Sequence, residues 1–114
     1  MSMTIWHNPR CSKSRQTLQL LTDNGIDPTV RLYLVDPPSR DEIDQAATVL
    51  GLSAREFLRK NEPDFKTAGL SGSSDEDAIR DAMATYPKLI ERPIVFSSDR
   101  AVIGRPPENV LALL

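Results

Sequence analysis

The chain has 114 residues, of which 39% are hydrophobic and 26% charged, with a formal net charge of −2. This length suits one folded domain, and we expect a single domain over residues 1–114. No apolar run approaches the roughly 20 residues that cross a bilayer, and the N-terminus lacks an export signal, so we expect a cytoplasmic protein without a membrane partner. The balanced charges include no basic block, which argues against a nucleic-acid partner.

The first 35 residues predict a β–α–β unit. Residues 4–7 form a β-prone run that Asn8-Pro9 interrupts, and apolar residues recur at helical spacing after Cys11. Gly25 is typical of a helix stop, and residues 29–34 form a second β-rich run. Because crossover connections join parallel strands, we expect the two strands to be parallel.

The segment at about 39–86 predicts a helical insertion. Ser39 and Glu42 have the spacing of a capping box, in which both side chains accept hydrogen bonds from backbone N–H groups at a helix start. The same spacing recurs at Ser53 and Glu56, ahead of a short predicted helix at 57–60. The acidic run 75–77 suits the first turn of a further helix, which Pro87 ends.

The C-terminal part predicts a β–β–α unit. Residues 94–97 and 100–103 are β-rich runs joined by a polar turn, which indicates an antiparallel hairpin. Residues 104–107 lead into a last helix, since proline is tolerated in a first helical turn. The order β–α–β, helical insertion, β–β–α is that of an α/β, thioredoxin-like fold with a four-stranded mixed sheet.

Cys11 is the main candidate for chemistry. It lies at the start of the first predicted helix, where unpaired N–H groups and the helix dipole favour a thiolate. Such surroundings lower the pKa of a cysteine from about 8.5 to about 3.5–7.5. The alternative is a small buried hydrophobic residue without reactivity. With one Cys and one His, the chain cannot form an internal disulfide or a zinc site of four Cys/His ligands, and we expect no metal.

The neighbours of Cys11 favour an oxyanion or a second thiol as its reacting partner. N–H groups at a helix start bind oxyanions, and Ser12 and Ser14 could add hydroxyl donors. His7 could tune the thiolate or simply end the first strand. Ser14 stands three residues after Cys11, where dithiol redox enzymes carry a second cysteine. A redox cycle would therefore need an external thiol, for which glutathione is the abundant cytosolic candidate. Further positive charge comes from three residues that could equally form a solvated helix start: Arg10, Lys13 and Arg15.

Three separated arginines are candidates for binding the oxyanion: Arg59, Arg92 and Arg105. Planar guanidinium groups give a tetrahedral oxyanion paired hydrogen bonds. Arg92-Pro93 opens the third predicted strand, where thioredoxin-like proteins often have a cis-proline beside the active thiol. Each arginine could also be an ordinary surface residue, but all three lie where the chain could return toward Cys11.

Four motifs over essentially the whole chain resemble the glutaredoxin-coupled arsenate reductase family. They are His-Asn-Pro-Arg-Cys-Ser-Lys-Ser-Arg at 7–15, Leu-Arg-Lys-Asn at 58–61, Glu-Arg-Pro-Ile-Val at 91–95 and Gly-Arg-Pro-Pro at 104–107. The resemblance implies that Cys11 is the nucleophile and that His7 and Ser14 influence its thiolate. It also implies that the three arginines bind the oxyanion and its intermediates.

The resemblance implies reduction of arsenate to arsenite, with glutathione as reducing co-substrate, glutaredoxin as partner and no bound cofactor. In that family the thiolate attacks arsenic and water departs. Glutathione then displaces an oxygen, arsenic is reduced from V to III, and a glutaredoxin removes the mixed disulfide. Residues 10–13 differ from the small residues of the best-known members and resemble a subgroup with an Arg-Cys-Ser-Lys sequence. Two alternatives are a monothiol glutathione-dependent oxidoreductase of another substrate and an RNA-polymerase-binding redox regulator. Ser14 argues against the second, because such regulators typically use a Cys-x-x-Cys pair.

Overall fold

The structure, a computed structural model, describes residues 2–114 and contains one four-stranded sheet. Its strands lie in the order β2-β1-β3-β4. They are β1 (Thr4–Trp6), β2 (Thr29–Arg31), β3 (Ile94–Phe96) and β4 (Ala101–Ile103). β1 pairs with β2 in parallel and with β3 antiparallel, and β3 pairs with β4 antiparallel. The predicted α/β class, the mixed sheet and the C-terminal hairpin are confirmed.

The chain forms two compact units. The sheet unit comprises residues up to 36 and from 92 onward, and the helical unit comprises residues 37–91. The helical unit contains the stretch at about 39–86 that the sequence predicts to be an insertion. That residues 1–114 act as one domain stays a prediction.

The sheet unit has one α-helix, α1 (Ser12–Asp23), and a C-terminal 3-10 helix (Pro107–Leu113) that packs against it. Gly25, just after α1, has a φ of +77°, a conformation that costs glycine little, and so it ends the helix as predicted. Burying an aliphatic side chain contributes roughly 1.5–3 kcal/mol. The buried core comprises Met3, Ile5, Leu21, Val95, Val110 and Leu113.

Two details of the sheet unit differ from expectation. β2 ends at Arg31 and not at residue 34, because the chain turns there: the N–H groups of Val35 and Asp36 both donate to the carbonyl of Leu32, at 2.9 and 2.8 Å. The last helix is a 3-10 helix over its full length, with Pro107 in its first turn as predicted.

The helical unit contains three α-helices and two short 3-10 helices. The α-helices are α2 (Arg40–Leu50), α3 (Pro63–Thr67) and α4 (Glu76–Thr85), and the 3-10 helices are Ala54–Phe57 and Pro87–Leu89. The capping box before α2 is confirmed, since Glu42 N–H donates to Ser39 Oγ at 3.1 Å and Ser39 N–H donates to Glu42 Oε1 at 2.9 Å. The side chain of Asp75 likewise caps α4 by accepting from Ala78 N–H at 2.8 Å.

The second predicted capping box is wrong. The side chain of Ser53 makes no cap hydrogen bond. Glu56 N–H donates to the backbone carbonyl of Ser53 at 3.0 Å, and Ala54 N–H donates to the two carboxylate oxygens of Glu76 on α4, at 3.0 and 2.7 Å. The short helix is a 3-10 helix at 54–57, not a helix at 57–60, because Leu58 is extended and pairs with Ile90 in an isolated antiparallel bridge. α3 was not predicted.

An ion-pair network joins α2 to α4. Arg40 pairs with Asp44 at 2.9 Å, with Asp77 at 2.7 Å and with Asp81 at 2.5 Å. Arg80 lies 3.0 Å from Asp44 and completes the link between the two helices. Within residues 2–114, no helix has both the length and the apolar character needed to cross a membrane.

Candidate active site

Cys11 is the N-cap residue of α1 and is 9% exposed. Its N–H donates to the carbonyl of Asn8 at 3.0 Å, and its own carbonyl accepts from Arg15 N–H at 3.0 Å. The loop of residues 8–10 thus turns tightly into the helix and leaves the sulfur at the first helical turn. There the free N–H groups of the helix face it, as predicted.

The pKa of Cys11 is lowered by these surroundings. Burial by itself raises the pKa of the thiol, but three groups outweigh that effect: the backbone N–H of Ser14, the charge and hydrogen bond of Arg92, and the backbone N–H of Lys13. These are the contributions of a helix start and of a nearby cation. The environment of Cys11 therefore differs from the wholly apolar one in the alternative interpretation, and it favours a thiolate.

Two of the three predicted arginines lie at Cys11. Arg105 Nη1 is 3.8 Å from Cys11 Sγ and also donates to the carbonyl of Arg92 at 3.4 Å. The bonds Arg92-Pro93 and Arg105-Pro106 are both cis, the first of them at the place predicted for a cis-proline. The guanidinium groups of Arg92 and Arg105 thus lie near the sulfur of Cys11, although both residues are far from Cys11 in the sequence.

His7 and Ser14 form a buried pair next to the thiol. His7 Nδ1 and Ser14 Oγ are 2.6 Å apart, and Ser14 Oγ also accepts from Asn8 N–H at 3.0 Å. Burial, followed by the positive charge of Arg15, lowers the pKa of His7. At neutral pH the imidazole is therefore uncharged, and the pair holds the loop before Cys11 against α1.

Arg59 lies in the helical unit. Its guanidinium pairs with Glu62 and lies 3.9 Å from Glu91, and its backbone N–H donates to the carbonyl of Leu89 at 2.8 Å. These contacts fix Arg59 within that unit. Its convergence with Arg92 and Arg105 on the oxyanion stays a prediction.

The chain is similar to known proteins over almost its full length: the sequence profile described as the ArsC family matches residues 6–113. The chain belongs to the ArsC family. Arsenate reductase of Neisseria meningitidis serogroup B is 46% identical over 96% of each chain. YfgD of Escherichia coli K12 is 49% identical over 96% of this chain and 94% of its own. The solved structure of arsenate reductase from Vibrio cholerae has a TM-score of 0.95 and 47% identity, covering 100% of this chain and 98% of that one.

These matches confirm the family that the four motifs indicate, and with it the thioredoxin-like fold. In this ArsC protein, Ser12 is the first residue of α1 and is exposed. Arg10 and Lys13 are exposed as well, and Arg15 Nη1 donates to the carbonyl of Pro9 at 2.9 Å. Arg15 therefore supports the loop before Cys11. Within residues 2–114, no group of three or more His, Cys, Asp or Glu side chains is arranged to hold a metal ion.

Three residues at the site of this ArsC protein were not singled out from the sequence: Thr17, Gly104 and Asn109. Thr17 is fully buried on α1, and its Oγ1 lies 3.3 Å from the carbonyl oxygen of Gly104. Asn109 Nδ2 donates to the carbonyls on either side of Gly104. The sequence feature that could have indicated this contact is Gly104, directly before Arg105-Pro106, since a glycine next to a binding residue is typical of a close backbone approach.

Proposed function

We propose that this chain is an arsenate reductase that uses Cys11 as its nucleophile, glutathione as the reducing co-substrate and a glutaredoxin as its partner. The observation that supports this most directly is the single sulfur at the start of α1, with Arg105 Nη1 at 3.8 Å and a pKa lowered by backbone N–H groups and Arg92. A thiolate beside two guanidinium groups suits attack on a tetrahedral oxyanion. Membership in the ArsC family, with relatives named arsenate reductase, supports the choice of oxyanion.

In the proposed first step, the Cys11 thiolate attacks arsenic(V), and an arsenate oxygen leaves as water with protons from the medium. Glutathione then displaces a second oxygen as water and forms its own sulfur–arsenic bond. When a glutaredoxin thiol takes the glutathione sulfur as a mixed disulfide, the electron pair of that bond stays on arsenic, which becomes arsenic(III). Water finally releases arsenite and returns Cys11 as a thiol.

The side chains around Cys11 have separate proposed roles. Arg92 and Arg105 neutralise the charge on the arsenate oxygens, with Arg59 as the third predicted binding residue. His7 and Ser14 hold the loop that places the thiolate, and Ser12 offers an exposed hydroxyl to the oxyanion. Because Ser14 takes the place of a resolving cysteine, the second and third thiols come from glutathione and glutaredoxin. The abundance of glutathione in the cytosol agrees with a cytoplasmic location.

The direct test is reduction of arsenate with glutathione and glutaredoxin present, comparing the wild-type protein with Cys11→Ser. We expect arsenite formation by the wild type and a loss to background in the variant, since a serine hydroxyl is far less acidic than a thiol. Cys11→Ser should keep the circular dichroism spectrum of the wild type, which serves as the folding control. Equal rates for the two proteins would rule out the proposal.

A monothiol oxidoreductase of another substrate is the competing function, and the absence of a second cysteine is compatible with it. The two functions differ in their need for an oxyanion site. In our proposal, arsenate or phosphate slows alkylation of Cys11 in the wild type, and this protection weakens in Arg105→Ala. Alkylation that is indifferent to both anions would favour the monothiol function.

A further inference from the structure

Arg105 has a long, exposed side chain whose guanidinium lies 3.8 Å from Cys11 Sγ. A long side chain reaches one target reproducibly only if its backbone is held in place. Arg105 follows Gly104, the residue directly after β4, and it precedes a proline that lacks an N–H donor. Its Nη1 donates to the carbonyl of Arg92, and the position of its backbone is set by contacts of the neighbouring residues.

Gly104 lies against α1 with no room for a side chain. A Cβ placed on it would lie 2.6 Å from Thr17 Oγ1, 2.9 Å from Thr17 Cγ2 and 2.9 Å from Pro93 Cγ. Gly104 N–H also donates to the carbonyl of Pro93 at 2.9 Å. The short, buried side chain of Thr17 and the ring of Pro93 cannot swing aside, so any larger residue would push the backbone away from α1.

Asn109, on the C-terminal 3-10 helix, also holds the backbone of residues 103–105. Its Nδ2 donates to the carbonyls of Ile103 and Arg105, both at 3.2 Å. The Gly104 carbonyl between them lies 3.3 Å from Thr17 Oγ1, whose single proton it shares with the carbonyl of Lys13 at 2.8 Å. Three successive carbonyls thus have defined partners on α1 and on the C-terminal 3-10 helix.

We propose that Thr17, Gly104 and Asn109 are positioning residues that clamp the backbone of Arg105 where its guanidinium reaches Cys11. None of them contacts the sulfur. Gly104 also contacts Pro93, the residue directly after Arg92, so the same contacts help to position Arg92, whose charge favours the thiolate. The effect on turnover rests on the proposed function, but the effect on the thiol does not, and the experiment measures the two separately.

The first test is Gly104→Ala, with Gly72→Ala as the matched control because a Cβ on Gly72 meets nothing within 4 Å. The pH midpoint of Cys11 alkylation should rise by about 0.5–1 unit in Gly104→Ala, since the guanidinium groups retreat from the thiolate. Its kcat/KM for arsenate should fall about tenfold or more. Gly72→Ala should match the wild type in both. A midpoint in Gly104→Ala equal to that of Gly72→Ala would overturn the proposal.

Truncating the Thr17 side chain should make room for the Cβ that Gly104→Ala introduces. In the double variant Thr17→Ala/Gly104→Ala, two of the three close contacts of the new Cβ disappear. Added to Thr17→Ala, the Gly104→Ala change should raise the alkylation midpoint by less than it does in the wild-type background, with Pro93 limiting the difference. An equal or larger rise in the Thr17→Ala background would contradict a steric clamp.

Asn109→Ala gives an independent readout if Gly104→Ala does not fold. This residue is exposed, so its loss spares the core, and Leu111→Ala on the same 3-10 helix is the control. Asn109→Ala should raise the alkylation midpoint in the wild-type background and raise it by clearly less in an Arg105→Ala background, because it acts mainly through Arg105. Equal effects in both backgrounds would overturn the proposal.

The two proposals can fail separately. If the wild type does not reduce arsenate, the proposed function is wrong, while the alkylation midpoints still test whether Thr17, Gly104 and Asn109 position Arg105.

Discussion

Arg92 lowers the pKa of Cys11 through both its charge and a hydrogen bond. We predict that Arg92→Gln, which keeps a polar side chain but removes the charge, raises the pH midpoint of Cys11 alkylation by about one unit or more. Arg10→Gln removes a charge that lies next to Cys11 in sequence but is exposed, and it should leave the midpoint nearly unchanged. Similar shifts in the two variants would mean that overall charge, and not the placement of Arg92, sets the pKa.

Ser14 links His7 to the loop before Cys11 through a fully buried hydroxyl. Ser14→Ala leaves the buried His7 Nδ1 and the Asn8 N–H without this partner, so the free energy of unfolding should fall by about 1–3 kcal/mol. Ser12→Ala, at an exposed hydroxyl in the same helical turn, is the control and should change little. Denaturant unfolding measures both, and equal losses would contradict a specific role for the buried pair.

At the scale of an element, the start of α2 offers a matched pair of serines. Ser39 caps its helix, whereas Ser53, with the same Ser-x-x-Glu spacing, makes no cap hydrogen bond. Ser39→Ala should therefore lower the free energy of unfolding by about 1 kcal/mol, and Ser53→Ala should have almost no effect. The two variants are compared by their denaturant midpoints, with the dependence of the unfolding free energy on denaturant concentration equal in both. A larger loss in Ser53→Ala would contradict the assigned caps.

The same two serines show how far local sequence determines structure. The two hydrogen bonds of the capping box at Ser39 join residues only three positions apart, so the spacing alone was enough to predict them. At Ser53 the N–H of Glu56 donates to the backbone carbonyl of Ser53 and not to its side chain, and the first N–H of the 3-10 helix, that of Ala54, donates to Glu76, 22 residues further on. A spacing rule includes neither the 3-10 geometry nor such a distant acceptor. The end of β2 at Arg31 has a similar cause, since the hydrogen-bonded turn at Leu32 prevails over a β-prone sequence.

At the scale of the whole molecule, the order of β-rich and helical segments was enough to predict the mixed sheet. The position of Cys11 at the start of α1 was predictable because the signals for a helix start are local. Arg105 reaches Cys11 across 94 positions, and Thr17 meets Gly104 across 87, so these contacts depend on how β4 packs against α1. The motifs indicated the candidate site residues, but only the packing gave the distances between them.

Backbone N–H groups and guanidinium charge together hold Cys11 as a thiolate, and the pH dependence of its alkylation by iodoacetamide reports on this state. The chain has one cysteine, so a single adduct measured by mass reports on that sulfur alone. The thiolate fraction rises as pH passes upward through the pKa of the folded protein. We predict a midpoint well below about 8.5, the usual value for a free cysteine. A midpoint at or above that value would contradict the account.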